Sequence, residues 1–238
     1  MNPSVVFIAD RNRGRTPGSS PPRFPGFDVL NEVDRWDAVT AGVVLARLTP
    51  SPELSFFTGV EQATAEALCD QLLAQHEEPR IPVAALIDVR LATGETDGWH
   101  YADMPEDAQA WRQTLAFLDN DAKRQGGTSL SQLGQQQQAA LVQAVQELDA
   151  QSWHGLPATH VWSLWTRYAC TAFYSHPWAW NEIGFPGPAY PRGYKNMGLD
   201  AREKFEVADA ANTDPVPWTR RAEAAKRRQA AAVTGESS

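Results

Sequence analysis

The sequence predicts an all-α fold: a single helical domain of about six helices, a long C-terminal strap rich in Pro, Gly and aromatic residues, and flexible ends. Three observations carry this. Apolar residues recur at helical spacing from Phe27 onward, and no convincing β-rich alternating stretch intervenes. Residues 174–198 are punctuated by proline and glycine at a density that no helix accepts. A chain of 238 residues with 42% hydrophobic content can bury one core. The domain is placed at residues 27–205, between a flexible segment 1–26 and a tail 206–238.

The elements follow in order. Residues 10–26 are rich in Arg, Pro, Gly and Ser, so order begins near Phe27. Asp34 is placed to cap a helix whose stripe is Trp36, Val39, Val43, Val44 and Leu48, closed by Thr49-Pro50. Thr58 or Gly59 opens a second helix with Val60, Ala63, Ala67, Leu68 and Leu72 inward. Ile81-Pro82 leads a shorter one over residues 81–92. Met104-Pro105-Glu106-Asp107 puts proline and acid where a helix N-terminus favours them, and Gly126-Gly127 ends that helix. The glutamine run 135–138 reads as the polar first turn of a helix continued by Leu141, Val142, Val145 and Leu148. Leu156-Pro157-Ala158-Thr159 starts the next, with Val161, Trp162, Trp165, Tyr168, Ala169, Ala172 and Phe173 as a wide aromatic face. A last helical segment, about Thr219 to Val233, has little apolar face.

Composition narrows the function. The net charge of −8 argues against nucleic acid as the main partner, although each end is about +3 and the acidity sits in the body. No apolar run is long enough for a membrane span, and none follows a basic region as in a signal peptide, so the expected location is cytoplasmic. Cys69 and Cys170 form no metal or redox motif and read as buried, reduced thiols. No glycine-rich phosphate fingerprint follows a strand, and there is no nucleophile elbow.

Candidate site residues concentrate near the strap. His176 precedes Pro177 beside Asn181 and Glu182, so it either acts as a general base with Glu182 or Asp200, or caps the preceding helix. Tyr174, Trp178, Trp180, Phe185, Tyr190 and Tyr194 lie in or beside irregular chain, where aromatics anchor interfaces. Arg192 adds a fork donor suited to a carboxylate on another chain, and Lys195 joins it at the rim. Flat aromatic faces with Asn181 and Glu182 also suit sugar rings, which keeps a carbohydrate-binding module open. His154 and His160, six apart, and His100 among nearby acids read as structural residues, not metal ligands.

These residues carry a resemblance. Leu48-Thr49-Pro50, the Phe117-Leu118 helix, the Gln-rich helix, Trp165-Thr166-Arg167-Tyr168 and Phe173-Tyr174-Ser175-His176-Pro177 with Gly184-Phe185-Pro186-Gly187 resemble the gluconate 2-dehydrogenase subunit 3 family, over roughly residues 27–200. The resemblance implies a small all-α companion of a flavin-dependent dehydrogenase of the glucose–methanol–choline type. The large subunit holds FAD and performs the oxidation; this chain binds no cofactor itself. The strap itself either packs internally or faces the partner; the partner-facing set is Tyr174, His176, Trp178, Trp180, Asn181, Phe185, Tyr190, Arg192 and Tyr194. Members commonly carry a twin-arginine export signal. Here Arg11, Arg13 and Arg15 are spaced by single residues and Thr16-Pro17-Gly18 follows, so the complex either stays in the cytoplasm or leaves on its partner's signal.

Overall fold

A computed structural model describes residues 13–18, 22–49, 55–196, 198 and 201–207. The segment predicted as helical from Thr219 to Val233 lies outside the described residues, as does Asp200. The first helical element of the described residues is a 3-10 helix, Val29–Arg35, capped by Asp28, which turns at Trp36 into helix α1, Ala38–Ala46. The cap of α1 is Asp37, not Asp34 as predicted: its carboxylate accepts the N–H groups of Val39 at 2.9 Å and Thr40 at 3.1 Å. Asp34 is absorbed into the 3-10 turn, whereas the extended backbone of Asp37 aims its side chain at the free amides. Trp36, Val44, Leu45 and Leu48 are buried, while Val39 and Val43, expected inside, are 76% and 52% exposed.

Helix α2, Gly59–Leu73, starts at a capping box in which Glu61 N–H donates to Thr58 Oγ1 and Thr58 N–H to Glu61 Oε2. Its N-terminal Val60, predicted inward, is exposed. Helix α3 is Val83–Ala92, and α4, Asp107–Arg124, begins two residues after Pro105. A 3-10 turn at Leu130–Gln132 precedes α5, Gln135–Glu147, whose first turn is the glutamine run; Gln137 reaches back to the Gly134 N–H at 3.2 Å. A hairpin of two-residue strands, β1 (Ser152–Trp153) and β2 (Leu156–Pro157), was not foreseen and leaves the class all-α. Helix α6, Ala158–Ser175, and α7, Pro177–Ile183, complete the order.

Helices α2 and α6 form the middle of the bundle and both touch α3, α4 and α5. Trp111, Trp165, Tyr168, Leu68, Ile87, Leu115 and Leu118 fill the centre. Several buried polar groups are paired across helices, although the indole N–H of Trp111 and Nε2 of His176 have no hydrogen-bond partner among the described residues. Thr114 Oγ1 accepts the Trp165 indole N–H at 3.0 Å, and Tyr168 donates its hydroxyl to Asp107 at 2.7 Å. Asp88 takes three backbone amides, those of Ser55, Phe56 and Phe57, which ties the entry of α2 to α3. Among the described residues no helix is long and apolar enough to cross a membrane.

Two expectations need correction. Parts of the segment predicted as a flexible end pack on the body: Thr16 and Phe24 are buried, and the Gly18 N–H donates to the Pro79 carbonyl at 2.9 Å. Of the two thiols only Cys69 is buried, which pushes its pKa up; Cys170 is exposed on α6.

Candidate functional site

The sequence-named site is the corner where α6 ends and α7 begins. The first third of the predicted strap is helical, because Pro177 occupies the first helical position, where its missing N–H costs nothing. His176 is the hinge. Its backbone N–H closes α6 on the Phe173 carbonyl at 3.1 Å, and its Nδ1 accepts the Trp178 N–H at 3.2 Å to cap α7. With Nδ1 accepting, the neutral ring carries its proton on Nε2. The side chain is fully buried, and burial, with the Arg47 charge second, pushes its pKa down to about 4. A ring so enclosed is a cap.

Glu182 does not face it. That carboxylate borders an open cleft of about 430 Å³ with Pro17, Gly18, Leu73 and Phe173, and burial raises its pKa against the opposing charge of Arg23. The acid–base pairing of His176 with Glu182 is therefore not assembled.

Four of the residues expected at an interface are internal: His176, Trp178, Trp180 and Asn181. Asn181 works as a clasp. Its Oδ1 accepts the Val29 N–H at 2.8 Å, and its Nδ2 donates to the Arg15 carbonyl at 2.9 Å and to Asp28 at 3.3 Å, so α7 holds both the 3-10 helix and the N-terminal segment. Trp180 donates its indole N–H to the Tyr174 carbonyl at 2.6 Å and meets the Phe185 ring at 5.3 Å. Arg15 lies over Trp178 and Arg47 over Trp180. Arg192, expected to seek a carboxylate on another chain, pairs with Glu32 of its own, donates to the Pro186 carbonyl and lies 3.5 Å from the Phe205 ring centre.

The irregular part of the strap is bolted down by glycine. At Gly184 and Gly187 φ is +71° and +76°, a region that favours glycine. A Cβ at Gly187 would sit 2.4 Å from Trp36, and one at Gly184 would sit 2.6 Å from Val207 and 2.9 Å from Phe24. What remains on the surface is Tyr174, Ile183, Phe185, Tyr190 and Tyr194, from 38% to 68% exposed. Ile183 was missed by sequence, as was the outer face of α1; the signal for the latter was a nine-residue helix without one charge.

The other histidines singled out in the sequence are partnered. His154 bonds Asp121 at 2.9 Å and stacks on Phe117, and His160 bonds Asp103 at 2.8 Å and stacks on Tyr101. His100 approaches Glu106 at 3.8 Å. Among the described residues no three His, Cys, Asp or Glu side chains converge as metal ligands would.

Fold and site define a small all-helical protein whose aromatic corner is half internal clasp and half exposed surface. Residues 60–187, from α2 through the Gly187 turn, match the family described as Gluconate 2-dehydrogenase subunit 3, and the chain belongs to that family. The match starts after the 3-10 helix and α1, so it is shorter than the stretch of resemblance read from sequence. The family is that of a subunit, which implies a hetero-oligomeric partner. No curated protein and no solved structure matches the chain.

Proposed function

We propose that this chain is a non-catalytic small subunit that docks on and stabilises a flavoprotein dehydrogenase oxidising a sugar, sugar acid or glycoside. Family membership over residues 60–187 is the observation that carries the reading. Two features of the chain support it. Tyr174, Phe185, Tyr190 and Tyr194 expose aromatic surface on a strap fixed by Gly184 and Gly187, and rigid aromatic surface is what a partner buries with little entropy loss. His176, the one candidate base in the strap, is enclosed and neutral. In this reading FAD belongs to the partner, and the oxidation takes place there. The test is affinity purification of the tagged chain from its host, with the absorbance spectrum recorded. A larger chain carrying a flavin band is expected, with the small chain alone inert towards sugars and redox dyes. A colourless, monomeric eluate would overturn the proposal.

A further inference from the structure

Helix α1 lies outside the residues that define the family match, and its solvent side is unlike that of any ordinary surface helix. Nothing between Ala38 and Ala46 is charged, and Ala38, Val39, Gly42, Val43 and Ala46 are exposed together on one face. A helix apolar on every side is normally buried on every side. Gly42 sharpens the point. It lies mid-helix with no positive φ, and a Cβ placed there meets nothing within 4 Å, so the fold of this chain gives no reason for glycine. Glycine there costs roughly 1 kcal/mol of helix stability relative to alanine.

We infer that this outer face of α1 is a docking surface for the flavin-bearing chain, whose matching surface is apolar. The inference rests on the accessory-subunit reading above. Two observations select that occupant. First, α1 is joined to the exposed aromatic strap: Arg47, the residue that closes α1, donates to the Ser175 carbonyl at 3.0 Å and lies over Trp180, which meets Phe185. Second, charge is segregated. Residues 55–175 hold six Lys or Arg against fifteen Asp or Glu, whereas residues 13–18, 22–49 and 176–196 hold seven against five. Asp37 and Arg47 stand at the two ends of the apolar face, so the flank carries little net charge beside an acidic body, as the core of an interface does.

The tagged chain, its double variant Val39→Glu/Val43→Glu and the single variant Gly42→Leu are each purified from the host with bound flavin measured per chain. Both variants are expected to lose roughly tenfold or more of the bound flavin. Their helical circular dichroism and melting as isolated chains should hold, since the sites are exposed and Leu is a better helix former than Gly. A photocrosslinking residue at Val43 in the intact complex should couple to the flavin-bearing chain. Undiminished flavin in both variants, or crosslinks only between two copies of this chain, would overturn the inference while leaving the accessory role standing. Absence of flavin from the wild-type chain itself would instead remove the reading on which it rests.

Discussion

His176 shows how a residue that looks chemical in sequence becomes structural once its surroundings are known. Its Nδ1 is committed to an amide, burial favours the neutral ring, and the nearby Arg47 charge pushes the same way. The native pKa of about 4 lies below the unfolded value of about 6.5, so the unfolded chain binds the extra proton as the medium is acidified. Stability from this group is complete above pH 6.5, falls between pH 6.5 and 4, and levels off below. The loss is on the order of 3 kcal/mol. Urea titrations across that range should show it, and His176→Asn, which keeps a capping oxygen without a titrating ring, should flatten the profile. A stability gain on acidification would contradict the enclosed ring. Asn181→Ala should cost roughly 2 to 4 kcal/mol in the same assay, because it strands the Val29 amide and the Arg15 carbonyl. A capping role for His176 was legible, since its partners Phe173 and Trp178 are local, although it was read as closing α6 and not as opening α7. The Asn181 clasp was not, because Val29 and Arg15 are far away in the chain and local spacing carries no trace of that pairing.

Among elements, the helices marked by strong end signals were read well. The Thr58–Glu61 box, the proline ahead of α4 and the glutamine turn of α5 are local, and local chemistry decides them. Helix α1 was misread because Asp34 and Asp37 are both plausible caps, and because Val39, Val43 and Val44 are all apolar, so local pattern did not say which face packs. The strap was foreseen as ordered, but its division into a capped helix and a glycine-locked turn follows from contacts with Trp36, Phe24 and Val207. Those contacts make a contrast testable by thermal denaturation. Gly187→Ala meets both a positive φ and a ring 2.4 Å away, so a loss of about 3 kcal/mol or more is expected. Gly193→Ala has a positive φ of +65° but open space, and should cost about 1 kcal/mol. Equal effects would mean that the Trp36 contact does not constrain the turn.

For the whole molecule, the relevant feature is the pairing of an acidic bundle with an apolar, near-neutral flank. The isolated chain exposes Val39, Val43, Ile183, Phe185, Tyr190 and Tyr194, more apolar surface than scattered single residues account for. Sedimentation velocity of the purified chain should show concentration-dependent self-association that Val39→Glu/Val43→Glu relieves. A strictly monomeric wild-type chain would argue that these residues do not act as one surface. Sequence gave the class and the family through the α6–α7 corner, where aromatic, proline and glycine residues are close in the chain. It could not give the flank, which is assembled from segments more than a hundred residues apart.

The Asn181 clasp also sets an order of events during synthesis. Val29 and Trp36 are covered by groups that leave the ribosome some 150 residues later, at Asn181 and Gly187. Until then the first helices have no lid, and the flank beside them has no fixed shape. The bundle can gather while the chain grows, but recognition of another subunit through that flank must wait until Asn181 and Gly187 have emerged, so a product truncated before them is not competent to compete for the partner.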